Sequence, residues 1–96
     1  MKRRPLNSDE VAAALASLPG WAFLDGKIRK EYRFSGFPEA FGFMTRVALL
    51  AERLNHHPDW SNTYNRVLIA LSTHDAGGVT ASDIELAGLI DSVGVA

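Results

Sequence analysis

Ninety-six residues, 47% of them apolar, with a formal net charge of −1, describe one globular domain with a modest core. So balanced a charge gives no general electrostatic reason to bind nucleic acid or an anionic membrane. The absence of cysteine excludes disulfides, thiolate catalysis and Cys-ligated zinc or iron–sulfur sites.

Residues 1–7 read as an N-terminal tail, in which Lys2, Arg3 and Arg4 make a solvated basic start, and residues 8–96 as a single domain. No apolar run reaches membrane-spanning length and no signal-peptide pattern precedes the domain, so the cytoplasm is the expected compartment. The first helix is expected from Ser8, read as its cap, with Asp9 and Glu10 in the first turn. Its thin apolar stripe is Val11, Ala14, Leu15 and Leu18, and Pro19-Gly20 ends it. Trp21–Leu24 is a short strand, and Asp25-Gly26 is a hairpin signal. The next strand alternates cleanly: Ile28, Lys30, Tyr32 and Phe34 face one way, Arg29, Glu31 and Arg33 the other. Lys30 is the exception on the apolar side, where its stem can snorkel.

Ser35-Gly36 breaks that strand, and Pro38 suits the first turn of a long helix running to about Leu54. Apolar residues cover about half of its circumference, which fits a helix flanked by others or one that buries part of its stripe in a second subunit. Pro58 holds His57 extended, so the helix stops before it. Asp59–Tyr64 and Arg66–Ser72 read as strands joined at Asn65, taken as the left-handed residue. Val67, Ile69 and Leu71 mark the buried face of the second, and Leu68 and Ala70 make its other face less polar, as for a central strand. After the loop Asp75–Gly78, Thr80 caps a last helix with Asp83 in the capping-box position, and Ile84, Leu86, Ala87, Ile90 and Val93 form its buried side. The order α-β-β-α-β-β-α predicts an α+β two-layer sandwich: a four-stranded antiparallel sheet covered on one face by three helices.

The only three histidines, His56, His57 and His74, fall within one stretch, at a helix stop and a strand stop. Loops on a rigid scaffold carry sites at such positions, and imidazoles titrate near neutrality. Glu52, one turn before His56, is positioned to hydrogen-bond it. The alternatives are surface histidines near a turn, and a metal site of three histidines with Asp75. Adjacent histidines in an extended segment point apart, which disfavours a shared metal.

Gly20-Trp21, the run Ala51-Glu52-Arg53-Leu54-Asn55-His56-His57-Pro58-Asp59-Trp60, Tyr64-Asn65-Arg66-Val67, Leu71-Ser72-Thr73-His74-Asp75, and Thr80 with Asp83-Ile84 and Leu86-Ala87 together resemble the pterin-4a-carbinolamine dehydratases over essentially the whole chain. The resemblance implies dehydration of 4a-hydroxytetrahydropterin to quinonoid dihydropterin, in support of an aromatic amino acid hydroxylase, with no metal or organic cofactor. It implies His56, His57 and His74 as the catalytic trio, His56 and His74 as the main acid–base groups and His57 as an orienting one. Trp21, Glu52, Asp75, Ser72, Thr73 and Trp60 are the candidate substrate-binding residues, although Trp21 and Trp60 also suit core packing and Ser72 and Thr73 a plain strand end. It further implies a homodimer or homotetramer, with the Phe43, Val47, Leu50, Leu54 side of the long helix as candidate contact. The family also includes a dimerisation cofactor of a homeodomain transcription factor, so a non-catalytic binding or regulatory oligomer is the competing reading.

Overall fold

A computed structural model describes residues 4–94; Lys2 and Arg3 of the basic start lie outside the described residues. The described start is held to the domain: Leu6 N–H donates to Val79 O at 2.7 Å, and Leu6 packs against the core. The first helix, α1 (Ser8–Leu15), is capped by Asn7 rather than Ser8. Asn7 accepts from Glu10 N–H at 2.8 Å, and its own N–H donates to the Glu10 carboxylate at 2.9 Å. This reciprocal capping box begins one residue earlier than expected because Glu10, not Val11, is the residue three beyond the cap. Arg4 grips the same carboxylate with two bonds of 2.9 Å. The guanidinium, followed by the Asn7 amide, holds the Glu10 carboxyl at about 2. Beyond Leu15 the backbone tightens into i→i−3 turns that still carry Leu18 into the core.

Strands β1 (Ala22–Leu24), β2 (Lys27–Arg33), β3 (Asp59–Thr63) and β4 (Arg66–Leu71), with helices α2 (Phe37–Leu54) and α3 (Ala81–Gly94), give the expected order. The sheet runs β1-β2-β4-β3, antiparallel throughout. Asp25 (φ 53°) and Gly26 (φ 77°) are both left-handed, as a tight hairpin whose twist matches its strands requires. In the second hairpin the left-handed residue is Tyr64 (φ 54°), not Asn65. Asn65 is occupied in the sheet: its carbonyl accepts from Phe34 N–H at 2.8 Å and its amide donates to Phe34 O at 3.0 Å.

The helix-facing side of the sheet supplies Ile28, Val67, Ile69 and Leu71 to the core. Against it α2 buries Ala40, Phe43, Val47 and Ala51, and α3 buries Leu86, Ala87 and Ile90. Each large side chain of this set contributes about 1.5–3 kcal/mol by leaving water. Phe43 and Val47 are fully buried in the protomer's own core, and Leu50 and Leu54 pack on its margin. The expected subunit-contact side of α2 is therefore its core side. The opposite side of α2 leaves the apolar Phe37, Phe41, Ala48 and Leu49 exposed, with Thr45 among them. Lys30, the charge on the apolar side of β2, reaches Asp91 of α3 at 2.9 Å and Pro19 O at 3.0 Å. Asp91 also accepts from the Tyr32 hydroxyl and from Trp21 Nε1–H, so one carboxylate fastens the end of α3 to the first hairpin.

Candidate active site

The site begins where α2 ends. Asn55 is left-handed (φ 50°). His56 N–H then donates to Ala51 O at 2.9 Å, and Asn55 N–H to Glu52 O at 3.2 Å. This paired arrangement turns the chain inward at the residue after the left-handed one. His56 is consequently buried, at 7% exposure, and its Nε2 hydrogen-bonds the Asp83 carboxylate. Asp83 is fully buried in the first turn of α3. Its other oxygen accepts from Thr73 Oγ1–H at 2.9 Å and Thr80 N–H at 2.8 Å. The Thr80 hydroxyl, 2.7 Å from Thr73 Oγ1, takes the Ser82 N–H at 3.2 Å and donates to Thr73. With every neighbour donating to it, Asp83 acts as an acceptor only, and the network assigns the proton on His56 to Nε2. His56 Nδ1 is then the unprotonated ring nitrogen.

Glu52 does not serve His56. It meets His57 Nε2 at 3.0 Å in an exposed pair, because the left-handed turn at Asn55 sends His56 under the helix and leaves His57 outside. The adjacent histidines thus diverge, one to a buried acid and one to an exposed one. Ser72, Thr73 and His74 follow β4. Thr73 N–H donates to Gly78 O at 2.8 Å, and Gly77 (φ 77°) closes the loop by donating to Thr73 O at 3.1 Å. A 3₁₀ turn, His74–Ala76, forms inside this closure. Here His74 is exposed and borders a cleft of about 230 Å³, with Asp25, Gly26, Lys27, Ser72, Thr73, Gly77 and Gly78 as its other walls. Thr73 is the join: it borders the cleft beside His74, and its hydroxyl touches the acid that holds His56.

Of the expected residues, His56, His74, Ser72 and Thr73 are gathered around this end of the sheet, with the His57–Glu52 pair beside them. Asp75 is exposed in the 3₁₀ turn. Neither tryptophan is among the walls of this cleft. Trp60 is half-buried against the core, and Trp21, 6% exposed, packs edge-on to Tyr32 and donates to Asp91, eight residues or about 12 Å along α3 from Asp83. The residue that sequence reading missed is Asp83, taken only as a cap. Its signal was its register: it falls on the same stripe as Leu86, Ala87 and Ile90, where a carboxylate needs buried partners. A larger cleft of about 600 Å³, lined by Arg33, Phe34, Pro38, Gly42, Arg46 and Gly94, lies at the other end of α2, remote from this chemistry. Among the described residues no group of three or more His, Cys, Asp or Glu is arranged to hold a metal ion, and no helix is long and apolar enough to cross a membrane.

An α+β sandwich thus carries, at one end of its sheet, a buried His–Asp pair joined through Thr73 to a cleft that His74 borders. The family model for pterin 4 alpha carbinolamine dehydratase matches residues 4–93, and the chain belongs to that family. A Bradyrhizobium sp. relative, provisionally named pterin-4-alpha-carbinolamine dehydratase, is 54% identical over 95% of this chain and 93% of its own length. One from Solibacter usitatus with the same provisional name is 50% identical over 92% and 93%. A crystal structure from Brucella Melitensis, described as a transcriptional coactivator/pterin dehydratase, superposes with a TM-score of 0.92 at 42% identity, covering 96% of this chain and 100% of that one.

Proposed function

We propose that this protein dehydrates 4a-hydroxytetrahydropterin to quinonoid dihydropterin and water by histidine acid–base catalysis, without metal or organic cofactor. The observation that carries the reading is the Asp83–Thr73 network, which links a buried histidine to the wall of the cleft that His74 borders. The 4a-hydroxyl leaves as water only after it gains a proton, and a pterin ring nitrogen must lose one. His74, exposed in the cleft, protonates the hydroxyl as the C–O bond breaks. His56 takes the ring proton at Nδ1 while Asp83 stabilises the resulting imidazolium. His57, held by Glu52, orients the substrate. The product suits a reductase that restores the tetrahydropterin for an aromatic amino acid hydroxylase in the cytoplasm.

The test is the decay of freshly generated 4a-hydroxytetrahydropterin, with and without protein. Acceleration over the spontaneous rate is expected, falling by about 100-fold or more in His74→Ala and His56→Ala. His74→Ala should melt within about 0.5 kcal/mol of the parent, since His74 is exposed. A wild-type rate in His74→Ala would remove His74 from the mechanism. Should folded protein give no acceleration at all, a binding or regulatory oligomer becomes the better reading. That second reading draws on the exposed apolar stripe of α2 and on the coactivator description of the Brucella structure.

A further inference from the structure

The cleft at the N-terminal end of α2, about 600 Å³, takes no part in the dehydration, yet it falls within the ~300–1,000 Å³ usual for a small-molecule pocket. The end of β2, the first turns of α2 and the end of α3 build it. Phe34 and Pro38 give it apolar walls, and Gly42 leaves its helical wall bare. Three walls are charged: Arg33, Glu39 and Arg46. Arg46 donates from Nε and Nη2 to Val93 O at 3.4 and 3.3 Å, which pins its guanidinium to the end of α3. Its Nη1 makes neither bond and lies 3.5 Å from where a Cβ would stand on Gly42. Arg33 is paired at 2.7 Å with Glu31, which is not a wall, so Arg46 is the principal cation. Glu39 Oε1 lies 3.1 Å from where a Cβ would stand on Gly36, folded over bare backbone. Among the described residues no cation pairs with it. Glu39 and Arg46 are seven residues apart on one face of α2, about 10 Å along its axis.

We propose that this cleft is a second, non-catalytic site that binds an α-amino acid with a bulky apolar side chain, its carboxylate on Arg46, its ammonium on Glu39 and its side chain against Phe34 and Pro38. The mixture of signs selects this class. An anion alone would bring its charge beside Glu39, and a cation alone would meet two guanidiniums. A zwitterion gives each sign an opposite partner, and the fork of a guanidinium suits a carboxylate. The apolar walls supply what a small polar amino acid could not use. The α2 wall of the cleft lies beside the exposed Phe37, Phe41 and Leu49 and shares no residue with them. The inference is independent of the dehydratase reading, since it uses none of the histidines.

The experiment is a ¹H–¹⁵N NMR titration of the full chain with L-phenylalanine, 3-phenylpropanoate, which lacks the ammonium, and phenethylamine, which lacks the carboxylate. L-Phenylalanine should shift the Gly42 amide saturably, with Kd on the order of 1 mM, and leave Gly77 and Gly78, walls of the His74 cleft, in place. Each half-ligand should bind about threefold more weakly or worse. Arg46→Gln should weaken L-phenylalanine and 3-phenylpropanoate but not phenethylamine. Glu39→Gln should weaken L-phenylalanine and phenethylamine but not 3-phenylpropanoate. This crossed pattern is the signature, because a general loosening of the cleft would weaken all three probes in both variants. No saturable shift at Gly42 up to about ten times that Kd would overturn the site. Equal binding of L-phenylalanine and 3-phenylpropanoate would overturn the zwitterion assignment, as would losses that do not cross between the two variants.

Discussion

Asp83 concentrates more obligations than any other side chain in the site. It accepts from His56, from the Thr73 hydroxyl and from Thr80 N–H, and it is wholly buried. Removing it orphans three donors at once, so Asp83→Ala should cost about 3–5 kcal/mol in chemical denaturation. Asp83→Asn keeps the shape and one acceptor oxygen. It should cost less stability but most of the activity, because the amide presents a donor where one partner also donates and no longer stabilises a charged His56. A fully active Asp83→Asn would show that the acid only caps α3. At the other end of the burial scale, Glu10 is exposed, and its pairing acts through pH. Its carboxyl is held at about 2 in the folded protein, first by Arg4 and then by the Asn7 amide, below its ordinary value near 4.5. A depressed acid contributes stability that is complete above its unfolded pKa and lost as pH falls toward its folded one. The melting temperatures of wild type and Glu10→Gln should therefore differ at neutral pH and converge between about pH 4.5 and 2. A constant gap across that window would refute the ionic part of this cap.

Among the elements, the end of α2 decides the site. Asn55 has to be left-handed for His56 to turn inward. Asn55→Gly should be neutral or slightly stabilising and keep activity. Asn55→Ala should cost about 1 kcal/mol in thermal melts and lower turnover through His56; equal behaviour of the two would detach the turn from the site. This junction also marks the limit of what the sequence conveys. The alternation of Ile28, Tyr32 and Phe34, the Asp25-Gly26 turn and the Pro58 stop are local signals, and the elements they predict are the elements present. The partner of His56 is not local. Glu52 lay one turn away, yet the acid that reaches His56 is Asp83, 27 residues on, because helix packing and not sequence spacing brings the two ends together. The same holds for the α2 stripe. Its width was legible on a helical wheel, but Phe43 faces inward and Phe41 outward only because the sheet and α3 lie on one side.

At the scale of the whole molecule, several large apolar side chains remain in water. Phe37, Phe41 and Leu49 are 49%, 56% and 69% exposed, with Thr45 and Ala48 exposed between them and the Phe37 and Phe41 rings 5.9 Å apart. They form one stripe along α2, on the side away from the core. A second, smaller set, Leu24 and Leu68, lies on the sheet face that no helix covers. Contiguous patches of this kind mark protein contacts, and a straight helical stripe pairs most simply with its own copy about a two-fold axis. We therefore predict a homo-oligomer joined through α2, a dimer if only that stripe pairs and a tetramer if the sheet-side patch pairs as well. Phe41→Glu with Leu49→Glu puts two like charges into the contact of each protomer while leaving Phe43 and Val47, the core side of the helix, untouched. Sedimentation equilibrium at micromolar concentration should give wild type a mass at least twice the 10.5 kDa chain and the double variant a smaller one, with its thermal unfolding still cooperative. A wild type at 10.5 kDa would remove the contact. A variant that keeps the wild-type mass would move the contact to the open sheet face, where Leu68→Glu becomes the decisive change.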